Sequence, residues 1–144
     1  MNIGHVLAQK GGQVYTARPG QTVREALAQL TARNIGALVV VDDRSRPIGI
    51  ISERDIVRAA VRDEQLFGRT VQELMTRNLV VGTPEDDLRV VAHTMTERRI
   101  RHLPVVVGER LVGIVSIGDV VKAQRDQYEG EIDILQTRVE TEHP

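Results

Sequence analysis

One seven-residue phrase is written twice in this chain. GIISERD (Gly49–Asp55) and GIVSIGD (Gly113–Asp119) both read glycine, two branched apolar residues, serine, two variable residues and aspartate. They stand 64 residues apart in a chain of 144. The repetition runs further. At an offset of 65, Pro19 aligns with Pro84, Val23 with Leu88, Leu27 with Ala92, Leu30 with Met95 and Ile35 with Ile100. Between VVVDDRSRPIG and PVVVGERLVG the offset falls to 64, because one residue is missing from a polar turn, where loss is tolerated. The chain is two copies of one unit of about 60 residues.

Each copy follows one grammar. A short apolar run (Val14–Thr16; Leu79–Val81) leads to a proline and then to a helical segment. Thr22 and Glu25 match a capping box, and Val23, Ala26, Leu27 and Leu30 recur at helical spacing. In the second copy Leu88, Val91, Ala92 and Met95 repeat that spacing, with Asp86 and Asp87 suited to the positive helix end. Two β-branched runs follow in each copy, joined by a polar turn, which predicts a hairpin. A second helix opens at Ser52 or Ser116. The predicted unit is β-α-β-β-α, and the fold class α+β.

Such a unit is too small to bury its own apolar faces well. Two copies packed sheet to sheet about a pseudo-twofold axis solve that problem, giving one domain over residues 1–144. Repeat one is placed at about 6–61 and repeat two at about 71–123, with a C-terminal helix over about 124–140. The stretch Arg62–Thr76 carries Val71, Leu74 and Met75, so part of it is expected to dock as a short helix.

Composition narrows the function. Charged residues make up 27% and the net charge is −1, so no global field draws nucleic acid or an anionic membrane. There is no cysteine, which removes disulfides, thiol catalysis and thiolate metal sites. The four histidines show no ligand spacing, and neither a nucleophile elbow nor a phosphate-binding glycine loop is present. No enzyme is expected. The first residues lack the apolar run of a signal peptide, and no stretch approaches membrane-spanning length, so a soluble cytoplasmic protein is expected.

The Ser-x-x-Asp of the repeated phrase has two readings. Serine ending a strand and opening a helix is a good cap, and an acid three residues on completes a capping box. Alternatively, the unpaired N–H groups of a helix start accept phosphate, the serine hydroxyl adds a bond, and an Asp one turn in accepts a ribose diol. Residues alone leave both open.

The tandem β-α-β-β-α unit, with both phrases in register, resembles the cystathionine-β-synthase (CBS) domain pair, or Bateman module, over about Val6 to Lys122. The family signature G-h-x-S/T-x-x-D occurs twice, and RIRHLPVV (Arg99–Val106), TARP and VGTP also fit. The resemblance implies a stand-alone, non-catalytic sensor of AMP, ADP or ATP, or else of NAD or S-adenosylmethionine, with two clefts assembled crosswise. One combines Ser52, Arg54 and Asp55 with Thr83, Arg101, His102 and Leu103. The other combines Ser116, Gly118 and Asp119 with Thr16, Ala17, Ala37 and Leu38. Asp55 and Asp119 are expected to accept from ribose hydroxyls, and Ser52 and Ser116 to face phosphate. Leu38 and Leu103 are also core candidates, and His102 is a candidate interior histidine. Arg98 and Arg99 read as a solvated face. A ligand-free interaction scaffold, with both motifs acting as caps alone, is the competing reading.

Beyond the module Tyr128, Ile132, Leu135 and Val139 form a short coiled-coil-like seam, interrupted by Gly130. The seam fits a homodimer contact or a helix folded back on its own chain. The effector that receives the signal is expected to act in trans.

Overall fold

The computed structural model describes residues 1–142, and side chains through residue 138. The chain forms α1 (Ile3–Lys10), β1 (Thr16–Ala17), α2 (Val23–Arg33), β2 (Ala37–Val41), β3 (Pro47–Ser52), α3 (Glu53–Ala60), a 3-10 turn (Leu66–Gly68), α4 (Val71–Leu74), α5 (Leu88–Arg98), β4 (His102–Val107), β5 (Arg110–Ser116) and α6 (Ile117–Glu142). It is an α+β fold with two small sheets.

Local chemistry sets the element ends. Thr22 caps α2 by accepting the Glu25 N–H at 3.1 Å, and the Glu25 carboxylate accepts from the Thr22 hydroxyl at 3.2 Å, so only half of the expected capping box closes on backbone. Asp87 caps α5 through the Arg89 N–H at 2.8 Å. Both helices bury the stripe that their spacing predicts: Val23, Ala26 and Leu30 on α2, and Leu88, Val91 and Met95 on α5. Each ends on a left-handed residue, Asn34 and Arg99, both at φ 53°.

The hairpins pair antiparallel, with Ala37 opposite Ser52 in β2–β3 and His102 opposite Ser116 in β4–β5. In the longer turn Asp42 Oδ1 accepts from the N–H groups of Arg44 and Arg46, each at 2.9 Å. In the shorter one Gly108 takes φ 63°. The first strand of the unit differs between copies. β1 runs parallel to β2, whereas in the second half it shrinks to a single parallel bridge from Gly82 to Val105.

Two hydrophobic clusters form, one per half. Leu38 and Val40 of β2 point into the first cluster with α2, and Leu103 and Val105 of β4 into the second with α5. The alternate residues Ala37, Val39 and Val41 are buried as well, yet they belong to neither cluster. Strand alternation puts Ala37 and Val39 on the face of β2 turned away from the first cluster, and Pro104 is buried on β4 in the same way. Burial of a second strand face in each half is what the expected sheet-to-sheet packing requires.

The short helices α1 and α4 each complete one of the two cores. Ile3, Val6 and Leu7 of α1 pack in the second cluster, not the first, and Gly4 N–H donates to the Pro84 carbonyl at 2.8 Å. Leu66, Val71 and Met75 of the linker complete the first cluster. The apolar faces of these short helices carry no mark of which half they serve. The C-terminal helical extension expected from the sequence is present: α6 runs unbroken from the repeated phrase to Glu142.

The first glycine of each repeated phrase is a point of close approach. A Cβ at Gly49 would overlap Met75 Sδ and lie 3.1 Å from the Thr76 carbonyl oxygen, while one at Gly113 would meet only Leu7 side-chain atoms. Overpacking costs roughly 1–3 kcal/mol when the neighbour cannot yield. Gly49→Ala is expected to fall in that range and Gly113→Ala below it, because a leucine end can rotate and a paired backbone cannot. Urea unfolding of the two variants checks the order.

Candidate functional site

The repeated phrase ends each hairpin and starts a helix in the same way. Ser52 Oγ accepts the Asp55 N–H at 3.2 Å, and Asp55 Oδ2 accepts the Ser52 N–H at 3.0 Å and its hydroxyl at 2.9 Å. Ser116 Oγ accepts the Asp119 N–H at 3.1 Å, and Asp119 Oδ2 accepts the Ser116 N–H at 2.8 Å. Both are closed capping boxes. Each helix start is also tied to the strand beside it: Glu53 N–H donates to Gly36 O at 3.0 Å, and Ile117 N–H to Arg101 O at 2.9 Å.

Two clefts open at these helix starts. The first has a volume of about 300 Å³ and is walled by Ser52, Arg54, Asp55 and Arg58 from one half, and by Arg99, Ile100, Arg101 and His102 from the other. The second, of about 500 Å³, brings Ser116 and Ile114 together with Asn34, Gly36, Ala37, Tyr15 and the segment from Lys10 to Gln13. Gly36 and His102 line both clefts. A Cβ on Gly36 would come within 3.3 Å of His102 Nε2, so the imidazole and this glycine form the partition.

Of the residues singled out from sequence, Ser52, Arg54, Asp55, Arg101 and His102 meet in the first cleft, and Ser116 and Ala37 in the second. The rest lie elsewhere. Thr83 is drawn away into a turn, its N–H and hydroxyl donating to Asp86 at 2.9 and 3.0 Å, and Thr76 takes its place in the wall. Leu38 and Leu103 are spent on the cores, as is Ala17. Thr16 belongs to the β1 ladder, where its carbonyl accepts from Gln29. Gly118 is exposed at the start of α6, while Asp119 adjoins the second cleft, its Oδ2 bonded to Ser116 and Lys10, which both line it.

The sequence reading missed Lys10, Arg58 and Arg99. Arg58 could have been found, since it follows Arg54 by one helical turn. Arg99 was assigned to a solvated face. Its left-handed backbone costs roughly 1–2 kcal/mol for a residue with a Cβ, and with that turn the chain carries Arg99 into the first cleft. Lys10 reaches Asp119 across the fold, its Nζ 2.7 Å from Oδ2.

Electrostatics distinguish the clefts. The first gathers four arginines against Glu53 and Asp55. In the second, burial favours a protonated Asp119, but the hydrogen bonds from Lys10 and from the Ser116 N–H outweigh it and hold the carboxyl below the ordinary aspartate value. Burial holds the His102 imidazole below the ordinary histidine value, with Lys10 and Arg101 adding to the effect and Asp119 and Asp55 opposing it. Among the described residues no group of histidines and carboxylates is placed to hold a metal ion, and no helix is long and apolar enough to cross a membrane.

A lowered histidine value has a definite sign. The folded state disfavours the imidazolium, so the unfolded chain binds the extra proton first, and stability falls as pH drops below about 6.5. The Asp119 contribution also falls with acid, at lower pH, below about 3.8. His102→Gln is expected to flatten the upper part of this acid limb and leave the lower part in place. Urea midpoints measured from pH 7 down to pH 3 check it.

Known proteins share this architecture. The CBS domain family matches residues 9–62 and 71–126. A CBS-domain containing protein from Agrobacterium tumefaciens is 38% identical, with a TM-score of 0.82 over 86% of this chain and 99% of its own. The CBS domain pair of the protein MJ0100, in complex with 5′-methylthioadenosine and S-adenosyl-L-methionine, is 28% identical, with a TM-score of 0.80 over 88% of this chain and 98% of its own. CBSX2 in complex with AMP is 26% identical, with a TM-score of 0.76 over 88% of this chain and 98% of its own. Repeat, fold and family match coincide: the chain belongs to the CBS domain family, as a tandem pair.

Proposed function

We propose that this protein is a non-catalytic regulatory module that binds adenine nucleotides in its two clefts, with AMP or ADP held most tightly beside Ser52. The carrying observation is the first cleft: a capped helix start with Ser52 and Asp55 on one side, and Arg54, Arg58, Arg99 and Arg101 around it. A phosphate fits the helix start and the guanidinium groups, since charge-assisted bonds are roughly twice as strong as neutral ones. Asp55 uses Oδ2 for its cap, which leaves Oδ1 to accept a ribose hydroxyl. The complexes of CBSX2 with AMP and of MJ0100 with methylthioadenosine and S-adenosyl-L-methionine support an adenosyl ligand. The arginine excess favours phosphate over a sulfonium cation, so AMP, ADP or ATP ranks ahead of S-adenosylmethionine, with NAD between them. A ligand-free scaffold in which both motifs are caps alone is the rival, and the closed capping boxes are consistent with it.

The effector in trans is a protein outside this chain, and a second copy of the chain is the nearer partner. From Tyr128 to Arg138 every residue of α6 is exposed, Ile132 and Leu135 included, so this part of the helix projects from the module and does not fold back on it. Val139, the last position of the seam, lies outside the described side chains. We read the projection as a homodimer contact. Deleting the residues after Gln127 is expected to shift a dimer toward monomer in analytical ultracentrifugation; an unchanged dimer assigns the seam elsewhere.

Calorimetry with AMP tests the nucleotide reading. Asp55→Asn keeps an oxygen for the Ser52 N–H and removes the charge. It is expected to weaken the tighter AMP event about ten- to hundredfold, as loss of a charged hydrogen-bond partner does. Asp119→Asn is expected to affect only the weaker event. No binding of AMP, ADP, ATP, NAD or S-adenosylmethionine by the intact protein leaves the scaffold.

A further inference from the structure

The aspartates that close the repeated phrases are equivalent by the repeat and unequal in the fold. Asp55 is bonded by Ser52 alone, and no ion pair engages it among the described residues. Asp119 Oδ2 receives the Ser116 N–H at 2.8 Å and Lys10 Nζ at 2.7 Å. The same ammonium donates to the Ile114 carbonyl at 2.9 Å, so it is fixed from two sides at the wall of the cleft. By the repeat offset Lys10 occupies the place of Met75, whose side chain packs instead on Gly49.

The position of Lys10 is built. Ile3 and Val6 anchor α1 in the second cluster, which brings the last turn of the helix to the end of β5. Just beyond, Gly11 takes φ 95°, and a Cβ on Gly11 or Gly12 would touch nothing within 4 Å. Lys10 therefore sits between an anchored helix and an unpacked two-glycine segment. The ammonium can leave Asp119 without breaking a core contact.

We propose that Lys10 is a specificity-determining residue of the Ser116 cleft, a resident cation that competes with a ribose diol for Asp119. The proposal rests on the reading of the clefts as nucleoside-binding. A diol donates two hydroxyls to a carboxylate. Each aspartate uses Oδ2 and leaves Oδ1 for one hydroxyl, so the second hydroxyl must reach Oδ2. At Asp55 that oxygen is held by the Ser52 N–H and hydroxyl, and at Asp119 by the Ser116 N–H and the Lys10 ammonium. Only at Asp119 does the diol meet a resident cation. Lys10 thereby sets the two clefts at different affinities for the sugar, although both carry the same Ser-x-x-Asp phrase.

Adenosine is the discriminating probe because it has no phosphate to gain or lose a contact with lysine. In an Asp55→Asn background, which weakens the first cleft, Lys10→Met is expected to raise adenosine affinity about two- to fivefold, the range of a partly exposed ion pair. Lys10→Arg is expected to stay near the parent protein, since it restores a cation at the same place. Added salt is expected to tighten adenosine binding in the parent and leave Lys10→Met unchanged, because salt screens the competing pair and a neutral ligand feels no such effect. The outcomes separate the two claims. If the intact protein binds neither AMP nor adenosine, the nucleotide reading falls and takes this one with it. If it binds them and Lys10→Met leaves adenosine affinity equal or lower, the competition by Lys10 alone is overturned.

Discussion

Burial of β2 and β4 on both faces is the constraint on which the rest depends. Leu38 and Val40 fill one core and Leu103 and Val105 the other, while Ala37, Val39 and Val41 are buried outside both cores, as the packing of one half on the other requires. A single repeat would leave that second face wet, at a cost of about 25 cal/mol for each Å² of apolar surface exposed. Joining the hairpins face to face brings the start of each inner strand beside the helix start of the other half. The clefts are a by-product of the joint. Their walls must come from both halves, because the joint has no other material.

Given that geometry, the contrast between the clefts comes from a few substitutions between copies. Where the first half has Gly36–Ala37, the second has Arg101–His102; where α3 opens with Glu53–Arg54, α6 opens with Ile117–Gly118. Polar bulk therefore gathers around Ser52, and the Ser116 side keeps more open volume. Apart from the first strand of the unit, the loss of pseudo-symmetry is concentrated at the clefts. The cores keep it, with matched helix faces and matched hairpin registers.

Much of this was legible in the sequence, and the limits have physical causes. Helix faces, hairpins and both caps follow from local spacing, which a repeat states twice. The pairing of Ser52 with Arg101 and His102 across the joint came from resemblance to a family and could not have come from spacing. The halves served by α1 and α4 were not legible, since Ile3 and Val6 are as apolar as Val71 and Met75 and nothing local separates them. Thr83 looked like a cleft residue until Asp86, three positions on, supplied a nearer partner. Lys10 and Asp119 lie 109 positions apart, beyond the reach of any pattern rule. Arg99 enters through a backbone conformation that its side chain does not advertise.

The exchange of short helices bears on how the molecule is made. The first core lacks Leu66, Val71 and Met75 until the linker has left the ribosome, so the leading repeat cannot close on its own residues. α1 has its seat on β5 and α6, about a hundred positions later, and the bond from Gly4 N–H to Pro84 O already spans 80. During synthesis that helix must wait, with Ile3 and Val6 uncovered, for nearly the whole chain. Contacts of such long sequence separation slow folding and lengthen the exposure of apolar surface. They also lace the ends of the chain through one another, so a cut between the repeats would leave each fragment missing a piece of its own core.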